Sequence, residues 1–271
     1  MLSDALLDAL QGQDTPHGDL TTEALGIGAL PGRITFAARG AMTLACAEEA
    51  ARLLELAGAR PGAVTPSGAA LAAGEVFLTA EGPAGALHRA WKVAQTLVEY
   101  ASGIATRTRA IVDAAGGVPV ACTRKNFPGT KEVAIRAIRA GGARMHRLGL
   151  SETILVFAEH RAFLGPDIGA ALARLKALEP ERRLLVEVAT PAEAIAMAAA
   201  GADAVQLEKF PPAAAAEVAA ALAGRGVLVI AAGGVTAANA AAYAAAGCGL
   251  LVTSAPYFAA PADVQVRLNP A

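Results

Sequence analysis

Leu184-Leu185-Val186-Glu187-Val188-Ala189-Thr190-Pro191-Ala192-Glu193, followed by Gly201 and then by Ala204-Val205-Gln206-Leu207-Glu208, decides the fold class. A short apolar run without alternation reads as a strand buried on both faces. Thr190-Pro191-Ala192-Glu193 has the form of a capping box, with proline at the first helical position. Gly201 suits a helix stop, and a second apolar run begins directly after it. Strand, capped helix, strand is the unit of a parallel sheet covered on both sides.

The same rhythm extends outward in both directions. Strand-like runs occur at Val120–Thr123, Thr153–Phe157, Leu184–Val188, Ala204–Leu207, Val227–Ala231 and Gly249–Thr253. Helix-like segments at Lys131–Ala140, Ala192–Ala200, Ala213–Ala223 and Ala237–Ala246 separate them, with Thr236 placed to cap the last and Gly224 and Gly247 as further stops. Such a series suits an incomplete α/β (TIM-like) barrel. A doubly wound open sheet would read the same, so closure does not follow from the pattern. Residues 1–105 differ: Arg33–Ala38 and Val76–Ala80 read as strands, and Ala47–Ala57 and Ala84–Tyr100 as helices, an α+β layer. Residues 106–262 make up the barrel, and 263–271 leave it, placed to pack back on the first layer.

Bulk properties narrow the function. The chain has 271 residues and a formal net charge of -1, so it offers no global basic field for nucleic acid or an anionic membrane. Cys46, Cys122 and Cys248 are scattered, without a Cys-x-x-Cys pair, which argues against a disulfide framework or structural zinc and fits a reducing cytoplasm. Gly226–Ala262 carries no charged residue, yet Gly233-Gly234, Asn239, Gly247, Gly249 and Pro256 interrupt it. It reads as strand, turn, helix and strand rather than a membrane span.

Local charge is concentrated in two loops, Thr123-Arg124-Lys125-Asn126-Phe127-Pro128-Gly129-Thr130 and Gly141-Gly142-Ala143-Arg144-Met145-His146-Arg147-Leu148-Gly149-Leu150. Clustered cations without acidic neighbours suit an anion, guanidinium forks matching carboxylates and phosphates. In a barrel, the loops after the strands form the active face. That face gathers Arg124, Lys125, Glu159, His160, Glu187, Glu208, Lys209, Gly233, Gly234, Thr253 and Ser254. Gly233-Gly234 ahead of a helix offers backbone N–H groups to a phosphate. Glu187 and Glu208, on neighbouring strands, can share a magnesium ion, which typically takes one or two carboxylates plus substrate oxygens. Each signal has a plain structural counterpart: surface charge for Arg124 and Lys125, a packed ring for His146, a tight turn for Gly-Gly, a surface salt bridge for either glutamate. Lys92, Arg107 and Arg109 fall on helix-like sequence, where a solvated face is the ordinary role.

Gly18-Asp19-Leu20-Thr21-Thr22, Ser102-Gly103-Ile104-Ala105-Thr106, Thr123-Arg124-Lys125…Pro128-Gly129, Gly141-Gly142…His146-Arg147-Leu148-Gly149-Leu150, Val186-Glu187-Val188 and Gly233-Gly234 stand in the order seen in quinolinate phosphoribosyltransferases. The chain resembles that family from about residue 15 to 258. The resemblance implies an N-terminal open-faced α/β sandwich, an incomplete barrel, and a homodimer whose active site borrows residues from the partner. By position it places Arg124, Lys125, His146 and Arg147 at the acceptor, and Lys92 where the family has an arginine reaching in from the other subunit. It sets Glu187 and Glu208 at the ribose and Mg²⁺ of phosphoribosyl pyrophosphate (PRPP), and Gly233, Gly234, Thr253 and Ser254 at the 5′-phosphate. Glu187, Glu208 and Lys125 are its candidate catalytic groups.

Departures cluster on the acceptor side. The family strand ending Leu-Ile-Lys-x-Asn-His is here Leu155-Val156-Phe157-Ala158-Glu159-His160, its Leu-Asp-Asn is Leu207-Glu208-Lys209, and its final Gly-x-Leu-Thr-His is Ser254-Ala255-Pro256-Tyr257. Loss of one buried charge-assisted contact costs about 1.5–3 kcal/mol, roughly one to two decades in affinity for a dianion. These departures resemble the ModD branch of pyrophosphorylases associated with molybdate transport. The expected activity is phosphoribosyl transfer to a nitrogen of an anionic heteroaromatic acceptor. The alternatives are a true quinolinate enzyme of NAD synthesis, with Lys209 or Lys131 supplying the missing charge, and a non-catalytic oxyanion- or phosphoribosyl-binding protein of molybdate uptake.

Overall fold

The computed structural model describes every residue except Pro166. In chain order the elements are α1 (Asp4–Asp14), α2 (Leu20–Ala24), β1 (Pro31–Ala38), β2 (Met42–Thr43), α3 (Ala47–Leu56), β3 (Arg60–Val64), β4 (Ala70–Leu71), β5 (Val76–Pro83) and α4 (Ala84–Ala114). There follow β6 (Val120–Cys122), α5 (Lys131–Ala140), β7 (Arg144–Met145), β8 (Ile154–Val156), α6 (Ala158–Arg161), α7 (Ile168–Leu178), β9 (Leu184–Val188) and α8 (Pro191–Ala199). The last are β10 (Ala204–Glu208), α9 (Pro212–Ala221), β11 (Leu228–Ala232), α10 (Ala240–Ala245), β12 (Leu250–Thr253) and β13 (Val264–Pro270).

The chain divides into two compact units, one of Met1–Arg109, Phe127–Gly142 and Phe258–Ala271, the other of Ala110–Asn126 and Ala143–Tyr257. In the first, β13-β1-β5-β3 form an antiparallel sheet. β1 alternates exposed or half-buried with buried residues, so one face is apolar and the other open. Ile34, Phe36, Phe77 and Leu78 from that face share a core with Leu53 and Leu54 of α3 and Leu87, Ala90, Ala94 and Val98 of α4. The tail enters as edge strand β13, in register with β1 from Gly32↔Pro270 to Ala38↔Val264.

Helix α4 runs on to Ala114, well beyond the expected end at Tyr100. Ser102 and Gly103, inside this extension, do packing work. The Ser102 hydroxyl accepts the Ala45 N–H at 3.0 Å, and Thr106 Oγ1 accepts the Thr43 N–H at 2.8 Å while donating to the Ser102 carbonyl at 2.7 Å. Gly103 lets the tail approach: an added Cβ would lie 2.2 Å from the Ala260 carbonyl oxygen and 3.1 Å from Pro261 Cα. Both obstacles are backbone. Gly103→Ala is therefore expected to cost about 1–3 kcal/mol or more, as overpacking does. A thermal melt checks this, and an unchanged Tm would refute the close approach.

The second unit holds a parallel sheet in which seven strands are described, in the order β7-β6-β12-β11-β10-β9-β8. That order is the chain order closed on itself: the last strand, β12, pairs with the first, β6, and the ladder is interrupted only between β7 and β8. A doubly wound sheet would reverse its order at a switch point. The unit is thus an incomplete barrel, and the strand absent from the sequence reading is β7, two residues lying within the Gly141–Leu150 loop. Ala121, Ala204, Ile230, Ala232 and Val252 form a common buried cluster in this unit.

Local signals behave as chemistry dictates. The Thr190 hydroxyl accepts the Glu193 N–H at 3.2 Å, and Glu193 Oε2 accepts the Ala189 N–H at 2.8 Å, one residue earlier than in a standard box. Gly201 and Gly247, at φ +102° and +86°, end α8 and α10 in Schellman form, with Ala202 N–H on the Met197 carbonyl and Cys248 N–H on the Tyr243 carbonyl. Thr236 does not cap α10. Asn239 Oδ1 accepts the Thr236 N–H at 2.8 Å and its Nδ2 donates to the Gly234 carbonyl at 2.9 Å, which holds residues 237–239 as a turn and delays the helix to Ala240. The uncharged Gly226–Ala262 segment contains β11, α10 and β12. No described helix is long and apolar enough to cross a membrane.

Candidate active site

The carboxyl ends of the barrel strands enclose a cavity of about 260 Å³. Thr123, Arg124 and Lys125 line it after β6, His146 and Arg147 after β7, and Leu155 and Phe157 at the end of β8. Glu187 on β9, Gln206 and Glu208 on β10, Ala232, Gly233 and Gly234 after β11, and Val252 and Ser254 at β12 complete the wall. Every strand of the barrel contributes, as expected for a site built from strand ends.

The cationic wall is held by its neighbours. The His146 N–H donates to the Cys122 carbonyl at 2.8 Å, carrying β7 alongside β6. The Tyr257 hydroxyl donates to the Thr123 carbonyl at 2.6 Å and pins the Arg124-Lys125 loop. Arg147 is 8% exposed, and its guanidinium carbon lies 5.2 Å from the Phe157 ring centroid, within cation–π range. Phe157 stacks on His160, with centroids 5.6 Å apart and planes at 17°. Burial, then the Arg147 charge, lowers the His146 pKa and favours neutral imidazole. Burial and the nearby Arg124 charge lower that of Arg147.

The acidic wall centres on Glu187. Gln206 lies opposite it in the β9–β10 register, is 5% exposed, and donates Nε2 to Glu187 Oε2 at 2.7 Å. Burial first, then the Glu208 carboxylate, holds Glu187 above the ordinary glutamate range, against opposing pulls from Gln206 and Lys125; Glu159 adds to the rise. Arg161 supports this strand end from behind, donating Nη2 to the Glu187 carbonyl at 3.2 Å and Nη1 to Glu193 Oε1 at 2.6 Å.

Three expected site residues do not line the cavity. Lys92 lies on α4 in the first unit, its ammonium 4.6 Å over the Trp91 ring and 3.2 Å from Gln95 Oε1. Lys209 is exposed, in the left-handed region at φ +58°, with its ammonium 3.8 Å from Glu208 Oε1. Thr253 is 2% exposed, and its hydroxyl is committed to the protein, donating to the Val235 carbonyl at 2.7 Å and accepting the Ala255 N–H at 3.0 Å. The six-residue α10 begins beyond Gly234, so any backbone phosphate cradle here belongs to the Gly233-Gly234 turn and not to a helix N-terminus. Gln206, Arg161 and Tyr257 are the residues that sequence reasoning missed. Gln206 alone left a signal, as the one polar residue inside Ala204-Val205-Gln206-Leu207.

The family models decide what this arrangement belongs to. Residues 19–102 match the N-terminal domain, and residues 104–267 the C-terminal domain, of quinolinate phosphoribosyl transferase. The chain belongs to the quinolinate phosphoribosyl transferase family. With that membership comes the reaction class, phosphoribosyl transfer, a pentosyltransferase chemistry. Within the family the chain is ModD-like. It is 52% identical over 245 residues to the ModD protein of Rhodobacter capsulatus, which carries a pyrophosphorylase name, covering 87% of this chain and 93% of that one. It is 39% identical over 279 residues to ModD of Escherichia coli O6:H1, covering 100% and 98%. The crystal structure of NadC from Streptococcus pyogenes superimposes with a TM-score of 0.92 at 25% identity, over 99% of this chain and 98% of that one.

Proposed function

We propose that the chain joins ribose C1 of PRPP to a ring nitrogen of an anionic heteroaromatic acceptor, with Mg²⁺, and releases pyrophosphate. The acceptor nitrogen supplies the electron pair of the new C1–N bond, and the pair of the breaking C1–O bond leaves with pyrophosphate. What carries this reading is one cavity with Arg124, Lys125 and Arg147 on one wall and the Gln206-held Glu187 beside Glu208 on the other. Positive charge developing on the ribose ring is stabilised by the carboxylates, while the cations hold pyrophosphate and acceptor in place.

The donor set suits magnesium. Burial first, and then the neighbouring Glu208 carboxylate, raises Glu187, and a divalent cation would offset both by favouring the charged form. Among the described residues no group of three His, Cys, Asp or Glu side chains is placed to hold a metal alone, so Glu187 and Glu208 would bind Mg²⁺ together with substrate oxygens. Gly233, Gly234 and Ser254 take the 5′-phosphate in this reading, and Lys92 serves the cavity of a second copy in a homodimer.

Pyrophosphate release from PRPP and Mg²⁺, measured with quinolinate and then with other pyridine and purine carboxylates, tests the proposal. Release with at least one acceptor is the expected result. Release with quinolinate, accompanied by carbon dioxide, would establish the NAD-pathway activity instead of a redirected one. Ligand binding without any release would leave a binding protein. Arg124→Ala is expected to raise the acceptor KM about tenfold or more, the loss of one charge-assisted contact; an unaltered KM removes Arg124 from the acceptor.

A further inference from the structure

Gln206 is out of character with its strand. Its neighbours Ala204, Val205 and Leu207 are apolar and buried, and Gln206 itself is 5% exposed. Side chains alternate between the faces of a sheet, so residues in register on adjacent parallel strands share a face. On that face the register sets Gln206 between Glu187 of β9 and Ile230 of β11, and only the glutamate side chain can share a hydrogen bond with it. The amide meets Glu187 Oε2 through its Nε2, at 2.7 Å. Chemistry fixes the choice of arm, because a carboxylate only accepts and the amide oxygen cannot donate. Gln206 Oε1 is then left buried, with no hydrogen-bond partner among the described residues. Folding alone does not account for such a residue. An orphaned buried acceptor is destabilising, and methionine or leucine would fill similar space without one.

We infer that Gln206 is a positioning residue for phosphoribosyl transfer, fixing the Glu187 carboxylate in the orientation that receives Mg²⁺-bound PRPP. This rests on the PRPP reading above and adds to it a residue that acts through another. The hydrogen bond engages one oxygen of the carboxylate and restricts rotation of the group before any ligand arrives. A glutamate left free would have to be ordered as PRPP bound, and that ordering opposes binding. Partners that orient a metal-binding carboxylate typically matter by about 10–100-fold in metal affinity or activity. The orphaned Gln206 Oε1 is the structural cost of presenting Nε2 to Glu187 from inside an apolar strand.

Calorimetric binding of PRPP to the full chain in excess Mg²⁺ tests this without reference to turnover or to any acceptor. Gln206→Met is expected to raise the PRPP Kd about tenfold or more. In a Glu187→Ala background, where the carboxylate is gone, the same substitution should change the Kd by less than about twofold, the mark of one residue acting through the other. An unchanged Kd in Gln206→Met overturns the inference and leaves the transferase reading standing. Equal losses in both backgrounds overturn it too, since Gln206 would then act independently of Glu187. If Glu187→Ala binds PRPP too weakly to measure, thermal melts of the unliganded proteins decide. A Tm lowered along with affinity in Gln206→Met makes the residue structural and overturns the inference; an unlowered Tm with lost affinity supports it. Should Gln206→Met fail to fold, Gln206→Leu carries the same measurements, and failure of both variants to fold also makes the role structural. No PRPP binding by the unaltered protein would remove the transferase reading and the inference with it.

Discussion

Glu187→Gln should abolish most turnover and make the protein more stable at neutral pH. The first effect follows from position. Glu187 lines the cavity, is fixed by Gln206 at 2.7 Å, and faces the same space as Glu208. Removing one preorganised charge from such a site typically costs about 10²–10³-fold in kcat. The second follows from the direction of its pKa. A carboxyl raised above its unfolded value of 4.5 keeps its proton in the folded state over a range where the unfolded chain has already released it. Stability therefore falls as pH rises through that range and stays lower above it. The amide cannot ionise and can still accept from Gln206 Nε2, so the gain should be present at pH 7 and vanish below the unfolded value. Melting curves at acidic and neutral pH, beside pyrophosphate-release kinetics, check both halves. Unchanged kcat would remove Glu187 from the chemistry, and a Tm gain that persists at low pH would assign the effect to packing. A residue that lowers stability where it raises activity is a common sign of a functional site.

Elements were legible where composition and period agreed. Lys131–Ala140 and Leu184–Val188 stand at the expected limits, because each is a run of one propensity bounded by glycine, a cap or a charge. β7 was not legible, since two residues, Arg144 and Met145, carry no period and sit among glycines and cations that read as loop; pairing with β6 makes them a strand. α7 was missed although Asp167 caps it, its Oδ1 accepting the Ala170 N–H at 2.9 Å. α4 runs to Ala114 past the expected end at Tyr100, and the glycine at 103 inside it is required by the close approach of the tail. Cations and glutamates of the candidate site could be picked out because they stand directly after apolar strand runs in a chain rich in Ala, Leu and Val. What could not be seen was direction. Thr253 and Ser254 are adjacent, yet the first turns its hydroxyl onto Val235 and the second lines the cavity. Nor does the string show that Phe157 lies against Arg147; it shows an aromatic where the resemblance leads one to look for a lysine.

Gly233 and Gly234 offer a sharper contrast than either residue alone. Both lie in the left-handed region, at φ +79° and +86°, so alanine at either position meets a similar backbone cost of about 1–2 kcal/mol. Their surroundings differ. A Cβ on Gly233 would lie 2.7 Å from Lys209 Cγ and 2.8 Å from Glu208 Oε1, whereas a Cβ on Gly234 meets nothing within 4 Å. The Lys209 backbone is held at φ +58° by its N–H on the Ala232 carbonyl at 2.8 Å, so its Cγ can shift only by turning about Cα–Cβ. The Glu208 carboxylate must shift as well. Gly233→Ala is therefore expected to lose about 10²-fold in turnover, the effect of displacing a reacting-site group by about 1 Å. Gly234→Ala should lose a comparable amount of stability and keep most of kcat, with any penalty falling on the KM for PRPP through the backbone turn. Paired measurements of Tm, kcat and KM for PRPP on the two variants decide between these outcomes. Equal losses of kcat would mean that the turn acts as one phosphate cradle and that Glu208 tolerates displacement. Loss confined to Gly233→Ala would place the sensitivity in the carboxylate that this glycine makes room for.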